Sequence, residues 1–364
     1  MNRRQLLAAA ISLPFTALAY SSEFSDFVQE QESGVTLLQT EFDEFQTAYL
    51  QEFENYKKDI EKEWDKARTT SATTWVHYNK NKKSRTLLNY QANTLEVSIR
   101  STDEPSSEKV KALITAAITI PAAKAIEQDP VIAKIKKESI PVGDSLMSGI
   151  KLTESAINKL IDQAQMVVDQ DSKGEFITVT VALPKKARTD RVRQFLPAVH
   201  RYCKEFKVDM ALVLAVIHTE SAFNPLAQSH VPAFGLMQIV PNSAGKDVQK
   251  LIYKRDQAPS SSMLFNPDIN IQHGCAYLHI LNYRYLKAIK DKASREHCCI
   301  AAYNTGAGNV AKAFTGKTNV TSAAKIINNM SSDEVYLHLR KHLKYKEARD
   351  YVKRVNEHKE LYLV

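Results

Sequence analysis

The chain has 364 residues, of which 44% are hydrophobic, 25% are charged and only 10 are glycine. This length allows two domains with ample cores, and the composition is that of a globular protein, which argues against collagen-like chains and glycine-rich loop enzymes. The net charge of +8 is uneven, because residues 23–188 contain 22 basic and 26 acidic side chains, whereas residues 189–364 contain 25 and 15. A basic second half suits a polyanionic partner. We expect no nucleic acid, since the positive side chains are spread over several predicted helices and no nucleic-acid-binding motif occurs.

The first 20 residues have the pattern of a signal peptide. Arg3 and Arg4 precede a 13-residue apolar run at residues 6–18, and residues 17–19 resemble a small-x-small cleavage site. A membrane anchor is the alternative, but the run is shorter than the roughly 20 residues that span a bilayer. The paired arginines also resemble a twin-arginine export signal. We therefore expect an exported, periplasmic protein.

Residues 21–184 are predicted to form an α+β domain. Aromatic side chains recur at spacings of three and four over residues 40–67, which predicts an amphipathic helix. Strand-like alternation and helical patterns follow, whereas residues 129–150 are ambiguous. The predicted strands are Thr74–Tyr78, Thr86–Tyr90, Thr94–Arg100 and Glu175–Leu183, and the further helices are Ser107–Glu127 and Ser155–Val168. No arrangement of residues in this half can be assigned to chemistry, so we expect it to position the other half or to bind a partner.

Residues 185–364 are predicted to form a mainly α-helical domain, joined to the first by a linker at Pro184–Arg188. Asp190 and Asp209 are suited to cap the first two helices, and Pro267 is suited to the first turn of a third. The predicted helices are Asp190–Lys207, Asp209–Glu220, Asn266–Tyr285, Arg295–Tyr303 and Glu347–Leu361.

The four cysteines all lie in this second half, at Cys203, Cys275, Cys298 and Cys299. Each stands in an apolar helical context, so we expect buried thiols. A bridge from Cys275 to the 298–299 pair is the alternative, because an exported chain can form disulfides. The spacing is irregular, and neither a His-Glu-x-x-His motif nor a Cys/His pair with zinc-ligand spacing is present. We therefore expect no metal and no organic cofactor.

Glu220 is the candidate catalytic residue, because it follows an unbroken apolar run at residues 210–217. A carboxylate at the end of a buried helix is poorly hydrated, and the helix C-terminus carries partial negative charge; both effects raise its pKa. A carboxyl group that is still protonated near neutral pH can give a proton to a leaving oxygen and then take one back. Such a residue suits cleavage of a glycosidic bond, although a single Glu at a helix end is more often a solvated or capping residue.

Three segments in a fixed order strengthen this interpretation: Glu220-Ser221, then residues 235–238 (Gly-Leu-Met-Gln), then residues 302–304 (Ala-Tyr-Asn). The ordered set resembles the lytic transglycosylases that cleave bacterial peptidoglycan, of the soluble lytic transglycosylase type, whose catalytic domain has a lysozyme-like fold. The resemblance covers roughly residues 190–364. It is closest to a membrane-bound type of these enzymes, in which residues 244–248 and 277–278 also look alike, and the first half resembles their N-terminal domain more loosely.

The resemblance implies that the chain cleaves the β-1,4 bond between N-acetylmuramic acid and N-acetylglucosamine and leaves 1,6-anhydromuramic acid ends. Glu220 would be the single general acid and base, because the C6 hydroxyl of the substrate attacks its own anomeric carbon at high effective concentration. The acidic residues nearest in sequence, Asp247, Asp256 and Asp268, do not suggest a second catalytic carboxylate. Enzymes of the membrane-bound type usually carry a lipid on a cysteine just after the signal. Since Cys203 is the first cysteine here, we expect no such anchor, and at most a peripheral outer-membrane or cell-wall association.

Two other functions remain open from the sequence. A true muramidase would use water and would need a carboxylate or an ordered water opposite Glu220. A non-catalytic wall-binding or secretion scaffold would be expected to have lost Glu220, Gln238 or Tyr303, all of which are present.

The substrate contacts that the resemblance implies lie on the three segments and on the last helix. Gln238 can donate and accept hydrogen bonds to sugar and acetamido groups, and Gly235 would let the backbone approach closely. Met237 is suited to line a sugar subsite or, equally, to belong to the core. The serines could instead be capping or surface residues, and Tyr351 could be a packed aromatic. The implied contacts are Ser221, Ser229, Gly235, Met237, Gln238, Tyr303, Asn304 and Tyr351.

Overall fold

The computed structural model describes residues 47–100, 106–132, 153–229 and 233–363. All of these residues belong to one unit, Phe42–Val364. The signal-peptide prediction, the start of the predicted helix 40–67 and most of the ambiguous segment 129–150 lie outside the described residues. Within the described ranges, no helix is both long and apolar enough to cross a membrane.

The first half contains one antiparallel sheet of five strands in the order β1-β2-β3-β5-β4. Its pairing follows from the alternation of apolar residues: Leu95, Val97 and Ile99 are buried on β3, and Val97 pairs with Val179 on β5. The strand predictions are confirmed to within a few residues. The strands are β1 Thr74–Tyr78, β2 Ser84–Asn89, β3 Thr94–Ile99, β4 Gln165–Asp171 and β5 Gly174–Ala182.

Four helices accompany the sheet in the described residues: α1 (residues 47–60), α2 Ser107–Thr119, α3 Ala122–Glu127 and α4 Glu154–Asp162. The aromatic stripe of α1 faces the protein, as its spacing predicted, with Tyr49 and Phe53 buried and Tyr56 half-buried. The predicted helix 40–67 ends early, since residues 61–66 form turns and bends. The helix predicted over Ser107–Glu127 is interrupted at Pro121, because proline lacks an N–H group and disfavours helical backbone at the residue before it.

The helix predicted over Ser155–Val168 is wrong in its second half. The helix ends at Asp162, and the chain then enters β4, where Val167 pairs with Thr178 and Val168 with Ile177. Gly174 follows the turn with a φ of 117°, which favours glycine. Hairpin pairing with β5 overrides the helical pattern here, and the apolar side chains of β4 stay exposed, with Val168 at 63%.

The second half is mostly helical, as predicted. It also contains two π-helical turns, at Pro241–Gly245 and Leu281–Tyr285. The helices are α5 Lys185–Phe206, α6 Met210–Ser221, α7 Lys246–Ile252, α8 Ser261–Phe265, α9 Pro267–Ile280, α10 Lys292–Thr305, α11 Ala307–Thr315, α12 Val320–Ile327, α13 Ser332–His342 and α14 Lys346–Glu360.

The predicted linker at Pro184–Arg188 is wrong, because Pro184 is the N-cap of α5 and Lys185 begins the helix. Asp190 therefore lies inside α5 and does not cap it. Asp209 does cap α6, since its Oδ1 accepts a hydrogen bond from the Leu212 backbone N–H at 2.7 Å. The sheet thus leads directly into the first long helix of the second half.

One hydrophobic cluster runs from the sheet into the helices, and includes Val97 and Val181 as well as Val213, Ile300 and Val355. Helix α6 is buried along most of its length. The four cysteines are buried with free thiols, as predicted, and the alternative bridge is not formed. Burial raises the pKa of Cys275, Cys298 and Cys299.

Candidate active site

Glu220 is the penultimate residue of α6, which ends where Ala222 takes a left-handed backbone conformation with φ 49°. Its side chain keeps partial solvent access but is otherwise surrounded by protein. The pKa of the Glu220 carboxyl is raised from 4.5 to about 7 as the net result of four causes: burial, which is the largest, and the Glu347 carboxylate raise it, while Tyr351 and Arg354 lower it. The direction of the shift is the predicted one. Glu220 can therefore be protonated or ionised near neutral pH, as a general acid and base requires.

Helix α14 brings Tyr351 to Glu220. Tyr351 is 2% exposed, and its hydroxyl lies close enough to Glu220 for each to shift the pKa of the other. The hydroxyl does not meet hydrogen-bond geometry with any residue that the structure describes. Sequence reasoning missed Glu347 and Arg354 as neighbours of Glu220. They lie four residues before and three residues after Tyr351, so the helical periodicity of α14 was the signal that could have found them.

The turn at residues 235–238 lies beside the end of α6 and is held there by side chains from two helices. The fully buried Ser221 donates a hydrogen bond from Oγ to the Leu236 carbonyl at 2.7 Å. The Tyr303 hydroxyl, on α10, donates to the Met237 carbonyl at 2.8 Å. Ser221 and Tyr303 therefore fix the backbone of this turn next to Glu220.

Asn270, on α9, holds the same turn and was also missed by sequence reasoning. Its Oδ1 accepts from the Met237 backbone N–H at 2.8 Å, and its Nδ2 donates to the Phe234 and Leu264 carbonyls, both at 2.8 Å. Gly235 has a φ of 74°, and a Cβ atom there would lie 2.3 Å from the Leu264 carbonyl oxygen. Glycine is thus required at this position by packing within the protein.

The remaining predicted substrate contacts near the turn differ in burial: Met237 is buried, whereas Gln238 and Ser229 are partly exposed. The Met237 side chain is 0% exposed and packs against Gly274, where an added Cβ would lie 2.0 Å from the Met237 sulfur, so it belongs to the core. Gln238 is partly exposed, and its Nε2 donates to the Gly235 carbonyl at 3.0 Å. Ser229 is partly exposed just before the undescribed residues 230–232.

A cavity of about 260 Å³ opens beside this turn. Tyr303 connects the cavity to the acid, because it lines the cavity and lies near enough to Glu220 for that carboxylate to raise its pKa. Its ring centroid is 5.5 Å from that of Tyr277. The cavity is lined by Gln238, Ile239, Val240, Ser243, Ala244, Tyr277, Tyr303, Asn304, Thr305 and Gly306. Side chains from all three segments, and Tyr351, thus gather in one region.

The three acidic residues nearest in sequence, which did not suggest a second catalytic carboxylate, have partners elsewhere. Asp268 accepts a hydrogen bond from the Tyr202 hydroxyl at 2.6 Å, and Asp247 accepts one from the Tyr285 hydroxyl at 2.8 Å. Asp256 is paired with Lys250 at 3.0 Å. Among the described residues, no group of three His, Cys, Asp or Glu side chains is arranged to hold a metal ion.

His218, two residues before Glu220, packs against the C-terminal segment. Its ring stacks on that of His358 at 3.8 Å between centroids, and its Nδ1 lies 3.0 Å from the Tyr362 hydroxyl. Burial, the neighbouring His358 and the nearby Arg188 and Arg191 lower the pKa of His218 to about 4. The neutral ring therefore serves to fasten the C-terminal segment to the helix that carries the acid.

The chain is similar to several known proteins. Residues 198–327 match the family model described as Transglycosylase SLT domain. The chain is 34% identical over 289 residues to membrane-bound lytic murein transglycosylase C of Sodalis glossinidius, which covers 78% of this chain and 80% of that protein. It is 33% identical over 295 residues to the protein of that name from Yersinia enterocolitica, covering 79% and 82%. A solved structure of lytic transglycosylase Slt from Pseudomonas aeruginosa is 25% identical, with a TM-score of 0.35 over 46% of this chain and 23% of that chain.

The similarity to the first two proteins extends beyond the helical half, because an alignment of 289 residues is longer than residues 185–364. Both halves of the chain therefore have counterparts in these relatives. The resemblance predicted from the ordered segments is confirmed, and the chain is a member of the membrane-bound lytic murein transglycosylase C family of enzymes.

Proposed function

We propose that this enzyme cleaves the β-1,4 bond between N-acetylmuramic acid and N-acetylglucosamine in peptidoglycan glycan strands, forms 1,6-anhydromuramic acid ends, and so serves cell-wall turnover or remodelling. The observation that carries the proposal is Glu220, a carboxyl with a pKa of about 7 at the end of a buried helix beside a cavity-lining tyrosine. The family match and the names of the relatives support peptidoglycan as the substrate.

The proposed reaction has two proton transfers through one carboxyl group. Protonated Glu220 gives its proton to the glycosidic oxygen as the bond from the anomeric carbon to that oxygen breaks. The C6 hydroxyl of the muramic acid then attacks the anomeric carbon, and the Glu220 carboxylate takes the hydroxyl proton, which restores the acid. No water is consumed. The raised pKa suits both roles, because a catalytic group works best when its pKa is near the working pH.

The surrounding residues have separate proposed roles. Gln238, Tyr303 and Asn304 line the cavity and are suited to bind the sugar and its acetamido group. Tyr351 adjusts the pKa of Glu220. Ser229 remains a proposed substrate contact. Positioning of the residue 235–238 turn is the better-supported role for Ser221 and Gly235, because their surroundings are backbone groups of the protein, and Met237 contributes its backbone and a core side chain.

We propose a signal peptide at residues 1–20, an α+β domain at residues 21–184 and a lysozyme-like catalytic domain at residues 185–364. The mature protein would act in the periplasm, peripheral to the outer membrane or cell wall. The names of the relatives favour an envelope location.

The test is mass spectrometry of peptidoglycan digested by the purified protein, beside the Glu220→Gln variant. We expect muropeptides that are lighter by one water than hydrolytic products, and we expect them to be absent with the variant. Products with free reducing ends would contradict the transglycosylase mechanism. No products from either protein would favour the wall-binding scaffold.

A muramidase is the second candidate, because the Glu347 carboxylate lies near enough to Glu220 to raise its pKa. A hydrolytic mechanism would use a second carboxylate to activate water or to stabilise the transition state. Glu347→Gln separates the two mechanisms. The proposed transglycosylase keeps forming anhydro products in this variant, whereas a muramidase that depends on Glu347 would lose most of its activity.

A further inference from the structure

Residues much earlier in the chain form hydrogen bonds with the loop between Glu220 and the turn at residues 235–238. Gln228, which is 4% exposed, accepts a hydrogen bond at Oε1 from the Tyr49 hydroxyl at 3.2 Å. Its Nε2 donates to Asp129 Oδ2 at 3.3 Å. Asp129 Oδ1 in turn accepts from the backbone N–H groups of Val131 and Ile132, both at 2.9 Å. The first half of the protein thus contributes a short series of hydrogen bonds that ends on this loop.

These hydrogen bonds have one direction in the structure, because Gln228 turns its NH₂ group towards Asp129 and its carbonyl oxygen towards Tyr49. A carboxylate at position 129 can only accept hydrogen bonds, and this orientation of Gln228 satisfies that requirement. Burial raises the pKa of Asp129, and the three N–H groups that point at its oxygens oppose that rise by stabilising the carboxylate. Tyr49 then has one orientation left, as the donor to Gln228.

The backbone of Gln228 connects these hydrogen bonds to the turn at residues 235–238. Phe234 forms an antiparallel bridge with Ile239 that closes the turn at residues 235–238, and a second bridge joins Phe234 to Gln228. The Tyr49 ring also packs edge-on against Phe234, at 6.2 Å between centroids and 86° between planes. Movement of Gln228 would therefore displace Ser229 and the turn together.

We propose that Gln228 is a positioning residue for the Glu220 reaction, and that Tyr49 and Asp129 of the first half set its orientation; this inference rests on the proposed transglycosylase function. A second anchor acts on the same loop, because Asn224 is fully buried and its Nδ2 donates to the Ala72 carbonyl at 3.1 Å. The first half of the chain is thereby a structural part of the catalytic site.

A reversal of the hydrogen-bond chain tests the proposal. In Asp129→Asn the new NH₂ group faces the NH₂ group of Gln228, so Gln228 must turn over or lose the bond. In Gln228→Glu two carboxylates face each other in a buried site, which is unfavourable. The double variant pairs the NH₂ group introduced at position 129 with the carboxylate introduced at position 228, and Tyr49 can still donate to that carboxylate. The double variant therefore keeps the net charge and the number of hydrogen bonds of the wild type, but the hydrogen bond between positions 129 and 228 has its donor and acceptor exchanged.

The measurements are kcat and KM on peptidoglycan, with the melting temperature of each variant. We expect each single variant to lower kcat by about tenfold, with a smaller change in KM, and we expect the double variant to recover to within about threefold of wild type. Tyr49→Phe removes one bond without adding charge and should lower kcat by a smaller factor, which provides a reading if a charged single variant fails to fold. Ser98→Ala is the matched control, because it removes a partly buried hydrogen bond to Thr178 within the sheet and should lower the melting temperature without changing kcat.

Different outcomes overturn different claims. The positioning role would be overturned if the single variants and Tyr49→Phe all fold and keep the wild-type kcat. It would also be overturned if the kcat of the double variant is no higher than the value obtained by multiplying the two single-variant losses. A wild-type protein that forms no anhydro products would instead overturn the proposed function on which the inference rests. Anhydro products from wild type with normal kcat in the variants would leave the function intact and remove this inference alone.

Discussion

Glu220 has neighbours that shift its pKa in opposite directions. Burial and the Glu347 carboxylate raise it, whereas the Tyr351 hydroxyl and Arg354 lower it, with about 7 as the result. The sequence could predict the raised pKa from the apolar run before Glu220. It could not predict the adjustment by Glu347 and Arg354, because these residues lie far along the chain and meet Glu220 only when α14 packs against α6.

The first prediction concerns the pH profile. The proposed reaction starts from protonated Glu220, so kcat should fall as pH rises through about 7. Tyr351→Phe removes a group that lowers this pKa and should move the alkaline limb to higher pH, whereas Glu347→Gln removes a group that raises it and should move the limb to lower pH. Measurement of kcat from about pH 5 to 9 for the three proteins checks the two signs. Shifts in the same direction would contradict this account of the site.

The same carboxyl makes stability depend on pH. The pKa of Glu220 is about 7 when folded and 4.5 ordinarily, so between these values the folded state holds a proton that the unfolded state has lost. Its contribution is complete below about pH 4.5 and is lost as pH rises to about 7, a change of about 3 kcal/mol in the free energy of unfolding.

Glu220→Gln should remove this dependence. Chemical denaturation of both proteins at several pH values measures it. The variant should gain stability relative to wild type as pH rises from 4.5 to about 7. A constant difference between the two proteins across that window would show that the folded-state pKa is not raised.

At the scale of the elements, the turn at residues 235–238 depends on contacts that a sequence pattern does not reveal. The sequence predicted that Gly235 would let the backbone approach the substrate closely. The structure adds a steric reason, because Asn270 and the Leu264 carbonyl occupy the space where a side chain would stand. Similarly, the segment that becomes β4 has a helical pattern, and its partner strand β5 decides its structure. Local patterns therefore located most elements, and pairing or packing with distant residues decided the exceptions.

Gly235→Ala tests the steric requirement. The added Cβ would meet backbone at 2.3 Å in addition to the cost of a φ of 74°, so we expect a loss of about 3 kcal/mol or more in unfolding free energy. Gly316→Ala is the matched control, since Gly316 has a φ of 71° but no atom within 4 Å of the added Cβ. It should cost only about 1 kcal/mol. Equal losses in urea titrations would show that backbone conformation alone explains the glycine.

At the scale of the whole molecule, the sheet and the helices share one hydrophobic cluster, and β5 is followed at once by α5. Composition and element type suggested two halves joined by a linker. The sequence could not predict that the core is continuous, because continuity depends on which face of the sheet packs against which face of α5.

We expect the chain to unfold in a single thermal transition, because separation of the two halves would expose part of a shared core. Differential scanning calorimetry of the full chain should give one peak, and a fragment of residues 185–364 should melt at a lower temperature. Two resolved transitions, with the fragment matching one of them, would show that the halves are independent.

The buried thiols can report local unfolding of this protein. Alkylating reagents react with the thiolate, and burial both shields the four sulfurs and raises the pKa of three of them. Cys203 and Cys275 lie on α5 and α9, and the other two lie together on α10. The labelling rate at each position would then measure how often that helix exposes its inner face, so kinetic stability could be mapped helix by helix without an introduced probe.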